Sequence, residues 1–178
     1  QFHRNMVQFC MEGSEGCLQE SIRLVPVKLG QTGIRIGLTE GFSRMEEERQ
    51  RSRYPRAGRP ETILENGGSV QVTAQLLGLQ VEASAIRQAA EEIRQLAGEL
   101  FPQYQVSPVY LCGEGKIPTG WFRMKMEDIG SGHIKALCTA GKGLVLVTFT
   151  YPLEESVKWA SVIRRSFSTW EEEDGEDQ

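Results

Sequence analysis

Between Asn66 and Tyr151 the chain switches from a two-residue apolar period to a 3.6-residue period and back, and no other feature constrains its fold as tightly. In Val70, Val72, Ala74 and Leu76, alternating with Gln71, Thr73 and Gln75, one face of a strand is apolar and the other polar, the pattern of a sheet covered on one side. From Ala83 to Phe101 the period lengthens. Ile86, Ala90, Ile93, Ala97 and Leu100 recur at steps of four, three, four and three, one stripe of an amphipathic helix. Burying Ile86, Ile93 and Leu100 stabilises by roughly 1.5 to 3 kcal/mol each. An Arg87–Glu91 pair on the wet side contributes about a few tenths of a kcal/mol, so packing decides whether this helix forms. Pro102 ends it. The period then returns to two in Val106–Cys112, Trp121–Met126, Ile134–Thr139 and Leu144–Tyr151, four strands separated by glycine-bearing connections. In the last of these, Val145, Val147 and Phe149 make one face apolar and Leu144 and Leu146 the other, which predicts a central strand covered on both sides.

The flanks extend this frame. Ile22–Leu29 and Ile34–Leu38 read as a hairpin turned by Gly30-Gln31-Thr32-Gly33, and Pro26, which has no N–H to donate, places its strand at an edge. Ser43 and Glu46 have capping-box spacing, predicting a short helix that ends near Tyr54 ahead of Pro55. Arg56–Pro60 reads as loop, followed by a hairpin of Ile63–Leu64 and Val70–Leu79 turning at Asn66-Gly67-Gly68. After Pro152, Val157, Ala160, Ile163, Phe167 and Trp170 form a second helical stripe, with Glu154 and Glu155 early and Arg164 and Arg165 late, where the helix dipole favours each sign. The six carboxylates of Glu171–Gln178, with no apolar side chain among them, read as a disordered tail rather than a calcium loop. At 178 residues and 39% hydrophobic content the chain suits one core. The expected organisation is an N-terminal extension over 1–20, a single α+β domain over 21–170 and an acidic tail over 171–178.

Charge and residue chemistry narrow the function. A net charge of -4 and a pI near 5.4 argue against a nucleic-acid partner. No apolar run approaches the roughly 20 residues that span a bilayer, and Gln1–Glu20 lacks the basic-then-apolar layout of a signal peptide, so a cytoplasmic protein without a membrane span is expected. Cys10, Cys17, Cys112 and Cys138 form no C-x-x-C pair; Cys112 and Cys138 lie in strand-like runs and read as buried apolar groups, while the pairing of Cys10 with Cys17 stays open. With only His3 and His133, a general base or metal site has few candidates, and His133, at a strand entrance after Gly130-Ser131-Gly132, reads as solvated. Gly113-Glu114-Gly115-Lys116 and Gly141-Lys142-Gly143 lack both P-loop spacing and a following helix, so they read as hairpin turns. Trp121, Trp159 and Trp170 read as core. No catalytic residue, metal site or cofactor is expected.

The most suggestive composition is Arg44–Arg59, where six arginines against three glutamates leave +3 on an acidic chain. Arginine suits bidentate recognition of carboxylate or phosphate, and Pro55 and Pro60 stiffen the loop. Arg51, Arg53, Arg56 and Arg59 are therefore candidate partner-binding residues, against the alternative of a solvated helix whose arginines pair with neighbouring glutamates.

The glycine-bounded hairpin, Arg53-Tyr54-Pro55 through Arg59-Pro60, the strand after Asn66-Gly67-Gly68, the long helix, and Thr150-Tyr151-Pro152 leading to a helix with Trp159 together resemble a group of small bacterial proteins. That group looks like the fold shared by PsbP of photosystem II and a nuclear-import factor that binds the GTPase Ran. The resemblance spans about Ile22 to Trp170 and implies an antiparallel sheet between helices, an α/β/α sandwich. It agrees with the α+β class and two-sided central strand read from the residues. It carries over no catalytic residue, and what relatives of the architecture share is binding another macromolecule. The expected role is thus a non-enzymatic protein-interaction or adaptor domain that engages a protein through a sheet edge or the arginine-rich segment. The alternative is a small-molecule-binding protein or unrecognised hydrolase with a cleft between sheet and helix. Self-association along the Pro26 edge is a third reading.

Overall fold

The alternating runs pair into an eight-stranded antiparallel sheet and a separate three-stranded one. The computed structural model describes residues 22–55, 57–113 and 115–173; the predicted extension over 1–20, with His3, Cys10 and Cys17, lies outside the described residues, as do Arg56, Glu114 and 174–178 of the acidic run. In chain order the elements are β1 (Leu24–Lys28), β2 (Ile34–Thr39), β3 (Ser43–Arg44), α1 (Glu47–Arg53), β4 (Thr62–Asn66), β5 (Val70–Leu76) and α2 (Ile86–Leu100). They continue with β6 (Gln105–Val106), β7 (Tyr110–Cys112), β8 (Thr119–Met126), β9 (Ser131–Ala140), β10 (Gly143–Pro152), α3 (Ser156–Phe167) and β11 (Glu171–Glu172). The main sheet has the order β3-β4-β5-β10-β9-β8-β6, with β7 also paired to β8, and the small sheet the order β1-β2-β11.

β10 is central, as its two apolar faces require. Val147 stands opposite Ala74 of β5 and Ala136 of β9. On that face Val72, Ala74, Ile134, Ala136, Val145, Val147 and Phe149 pack against Trp159, Val162, Ile163 and Phe167 of α3 and Ile34, Ile36 and Leu38 of β2. On the other face Phe122, Leu137 and Leu144 pack against Ile86, Ala90 and Ala97 of α2. Gly120 sets the approach of α2, because a Cβ there would lie 2.9 Å from the Ala90 methyl and 3.3 Å from the Ile86 carbonyl oxygen. The result is an antiparallel sheet with helices on both faces.

Several local expectations are corrected. The first hairpin forms with Pro26 on an edge strand, but it builds the small sheet and leaves the main one to β3–β10. Ser43 does not cap α1; it pairs with Glu65 in β3, and Glu46 occupies the cap position with no side-chain hydrogen bond. Gln50 instead donates its Nε2 to the Met45 carbonyl at 2.7 Å, which ties the helix back to the chain that enters it. Asn66 stays in the ladder opposite Val70, and the positive φ angles fall on Gly67 and Gly68 at 65° and 78°. The run Val106–Cys112 divides at Ser107-Pro108 into β6 and β7, because proline cannot donate within a ladder.

Both helical stripes are rotated at one end. Leu100 is 62% exposed and Val157 is 85% exposed, although the spacing places each on an apolar stripe. Val157 and Ile163 both lie within α3, and two successive three-residue steps at about 100° per residue set them roughly 120° apart, so Trp159, Val162, Ile163, Ser166 and Phe167 face inward while Val157 does not. The acidic run is not wholly a tail. Glu171 and Glu172 form β11 against Arg35 and Ile34 of β2, held there by the fully buried Trp170.

Candidate functional site

The arginine-rich segment folds as α1 and the loop after it, beside β4 at one end of the main sheet. Arg49 Nη1 lies 2.6 Å from Glu65 Oε1 on β4, which fixes the helix to the sheet. Arg51 Nε approaches Glu47 Oε1 at 3.7 Å one helical turn back, and Arg59 Nη1 reaches the same oxygen at 3.5 Å. Arg59 also donates Nε to the Tyr54 carbonyl at 2.9 Å, closing the loop onto the helix end. Of the four candidates, Arg51 and Arg59 therefore meet at Glu47, Arg53 is exposed beside them, and Arg56 lies outside the described residues. Exposed pairs of this kind contribute about 0 to 1 kcal/mol, so the Arg51 guanidinium is readily exchanged to another anion. Tyr54, whose phenol is raised above its usual range by burial with Arg53 opposing, donates its hydroxyl to Gln71 Oε1 at 2.7 Å.

A cleft of about 740 Å³ opens at the end of the sandwich, between residues 80–83, 116–118, the end of β9 with Gly141, and the β11 residues Glu171 and Glu172. The two glycine–lysine runs, far apart in sequence, converge beside it as hairpin turns. Lys116 Nζ lies 2.7 Å from Glu171 Oε2, and Arg35 Nη2 lies 2.7 Å from Glu171 Oε1. Lys142 donates Nζ to the Gln31 carbonyl at 2.9 Å. These lysines thus hold the protein's own oxygens. The hydrogen bond from Lys116, with that from Arg35, keeps the Glu171 carboxyl below the usual carboxylate range. Sequence reasoning missed Glu171 by assigning it to the tail; the available signal was Trp170, whose burial anchors the next residue.

On the α2 side of the main sheet, strand register assembles a polar floor that alternation alone did not reveal. Directly opposed residues share a face. One row therefore runs Thr73, Thr148, Lys135, and the next Gln71, Thr150, His133. Lys135 donates Nζ to Thr148 Oγ1 at 3.3 Å. His133 is partly buried rather than solvated, and burial, with Lys135 beside it, lowers its pKa to about 4. Its Nδ1 is sealed from solvent with no hydrogen-bond partner. Burial likewise pushes the Lys135 ammonium below the usual lysine range.

The remaining candidates are structural. Cys138 is fully buried, its thiol pushed up to about 12 by burial and then by Glu172, and Cys112 packs partly buried against the same core. Trp121, Trp159 and Trp170 are all buried, and Trp121 lies between Tyr110 and Phe167 at centroid distances of 4.9 and 5.5 Å. Among the described residues no cluster of histidine, cysteine, aspartate and glutamate could hold a metal ion, and no helix is long and apolar enough to cross a membrane.

No protein-family model matches the chain, and no curated protein matches it. Among solved structures it is similar to the solution structure of cyanobacterial PsbP (CyanoP) from Synechocystis sp. PCC 6803, with a TM-score of 0.59 over 84% of this chain and 92% of that one at 8% identity. A structure from Bacteroides thetaiotaomicron VPI-5482 aligns with a TM-score of 0.45 over 82% of this chain and 47% of that one at 12% identity. The chain has a PsbP-like fold, and at this identity the likeness defines the architecture alone.

Proposed function

We propose that the chain is a non-enzymatic protein-interaction domain whose docking surface is the arginine-rich segment, and that its partner is a protein presenting carboxylates or other anionic groups. The observation that carries this reading is the arrangement of α1. Its anchoring is assigned to Arg49 and Gln50, and its loop to Arg59, which leaves the Arg53 side chain and the weakly paired Arg51 facing solvent on a protein of charge -4. The sheet edges compete poorly for the same role. β3, β6 and β7 have two, two and three residues, and β1 carries Pro26 at its centre, so an added strand would find few consecutive partners. A cytoplasmic setting belongs to this reading, supported by the free thiols of Cys112 and Cys138.

The test is affinity capture from the native cell with two variants. Replacing Arg51, Arg53, Arg56 and Arg59 together by serine is expected to release the captured partner. Replacing Arg59 alone, which loosens the loop while leaving the outward arginines, is expected to retain it. An unchanged partner set with the fourfold variant would sink the proposal. The cleft beside Glu171 favours a second reading, a small-molecule site, because its volume lies within the usual range of about 300 to 1,000 Å³. A ligand whose binding is lost on Lys116→Ala and Glu171→Gln, and is indifferent to the arginine variants, would favour it.

A further inference from the structure

On the face shared with α2, the central strands change from apolar to polar within two residues. Leu137 of β9 and Leu146 of β10 oppose one another beneath α2, and the next positions on the same face are Lys135 opposite Thr148, then His133 opposite Thr150. These four side chains form a two-by-two square on adjacent strands. The lysine is the anomaly. It is partly buried, its hydrogen bond goes to a neutral hydroxyl, and among the described residues no carboxylate pairs with it. The acid on this face in the neighbouring row is Glu65, three strands away at roughly 14 Å, and its Oε1 is taken by Arg49. A cation drawn out of water with no counter-charge is costly, and the cost falls when an anion occupies the space beside it.

The surrounding groups suit such an anion. The hydroxyls of Thr148 and Thr150 can donate, and a neutral His133 carrying its proton on Nε2, the ring nitrogen that is not sealed, presents one more N–H. Lys135, His133 and Thr150 all keep some exposure, so the square can be reached from solvent. We infer that Lys135, Thr148, Thr150 and His133 form a binding site for a compact oxyanion, a carboxylate or phosphate group of a small ligand. One formal positive charge and three neutral donors match a single such group rather than a polyanion. The site stands apart from the α1 docking surface and does not depend on it.

The experiment is thermal unfolding of the full chain in sodium phosphate, sodium acetate and sodium chloride at matched ionic strength and neutral pH, with Lys135→Met and Thr148→Val beside the wild type. At least one oxyanion is expected to raise the wild-type Tm above its value in chloride, and the larger increment assigns the site to phosphate or to carboxylate. Lys135→Met is expected to abolish that increment, and Thr148→Val to weaken the apparent affinity about three- to tenfold. Equal Tm values in the three salts, or an increment kept by Lys135→Met, would overturn the inference. Amide shifts in a phosphate titration of the wild type give an independent readout. Changes confined to 133–135 and 148–150 support the site, and changes at Arg51 and Arg53 instead refute it.

Discussion

Trp170 donates its indole N–H to the Ser166 hydroxyl over 3.0 Å, and both side chains are sealed from solvent. The pair joins the last turn of α3 to the residue that leads into β11. Ser166→Ala removes the acceptor and leaves a buried N–H unsatisfied, a change that costs about 1 to 3 kcal/mol. Urea unfolding is expected to show that loss, and a variant as stable as the wild type would place the indole in a different bond.

Acid should weaken the fold well above the carboxylate range. The His133 pKa of about 4 in the folded state lies below its ordinary 6.5, so between those values the unfolded chain binds the extra proton. Stability is therefore full above about pH 6.5 and falls as pH drops toward 4, by about 2 to 3 kcal/mol for this group. Glu171, whose pKa is also depressed, acts in the same direction at lower pH, when its carboxylate protonates and releases Lys116 and Arg35. His133→Gln is expected to flatten the upper window alone, and an unchanged pH profile in that variant would show that His133 titrates normally.

Thiol chemistry should separate the two described cysteines. Cys138 is fully buried with its thiol pushed up to about 12, so almost no thiolate exists at pH 8. Alkylation of the native protein with iodoacetamide, mapped by peptide mass spectrometry, is expected to leave Cys138 unmodified until denaturant is added, while the partly exposed Cys112 reacts first. Labelling of Cys138 at the same rate as Cys112 would contradict its place in the core.

The phase of α3 predicts a sharp contrast between two aliphatic side chains six residues apart. Val157→Ser, at a position 85% exposed, is expected to change stability by no more than about 0.5 kcal/mol. Ile163→Ala, at a position 2% exposed between the two sheets, is expected to cost about 2 to 5 kcal/mol. Equal effects would mean that the helix is rotated.

The architecture was legible because side-chain period is a local property. Alternation in β5 and β8–β10, the Ile86–Ala97 stripe and the two-sided β10 each follow from which neighbours along the chain are apolar, and the antiparallel sheet between helices follows from these. Helix phase was less legible, since the two successive three-residue steps from Val157 to Ile163 drift about 120° around α3, and only packing shows which end of that drift faces water.

The candidate sites depend on distances the chain does not encode locally. The arginine-rich stretch stood out by composition, yet only packing decided that Arg49 and Arg59 hold α1 and its loop while Arg51 and Arg53 face outward. Strand register brought Lys135 beside Thr148 and His133 beside Thr150, and burial then gave them shifted affinities for protons. Glu171 acquired its two cations because β11 closes on β2 across a sequence separation of 136, a pairing set by the burial of Trp170. Local pattern thus determined the elements, and only the folded contacts between distant segments decided which polar groups lost water and which found a partner.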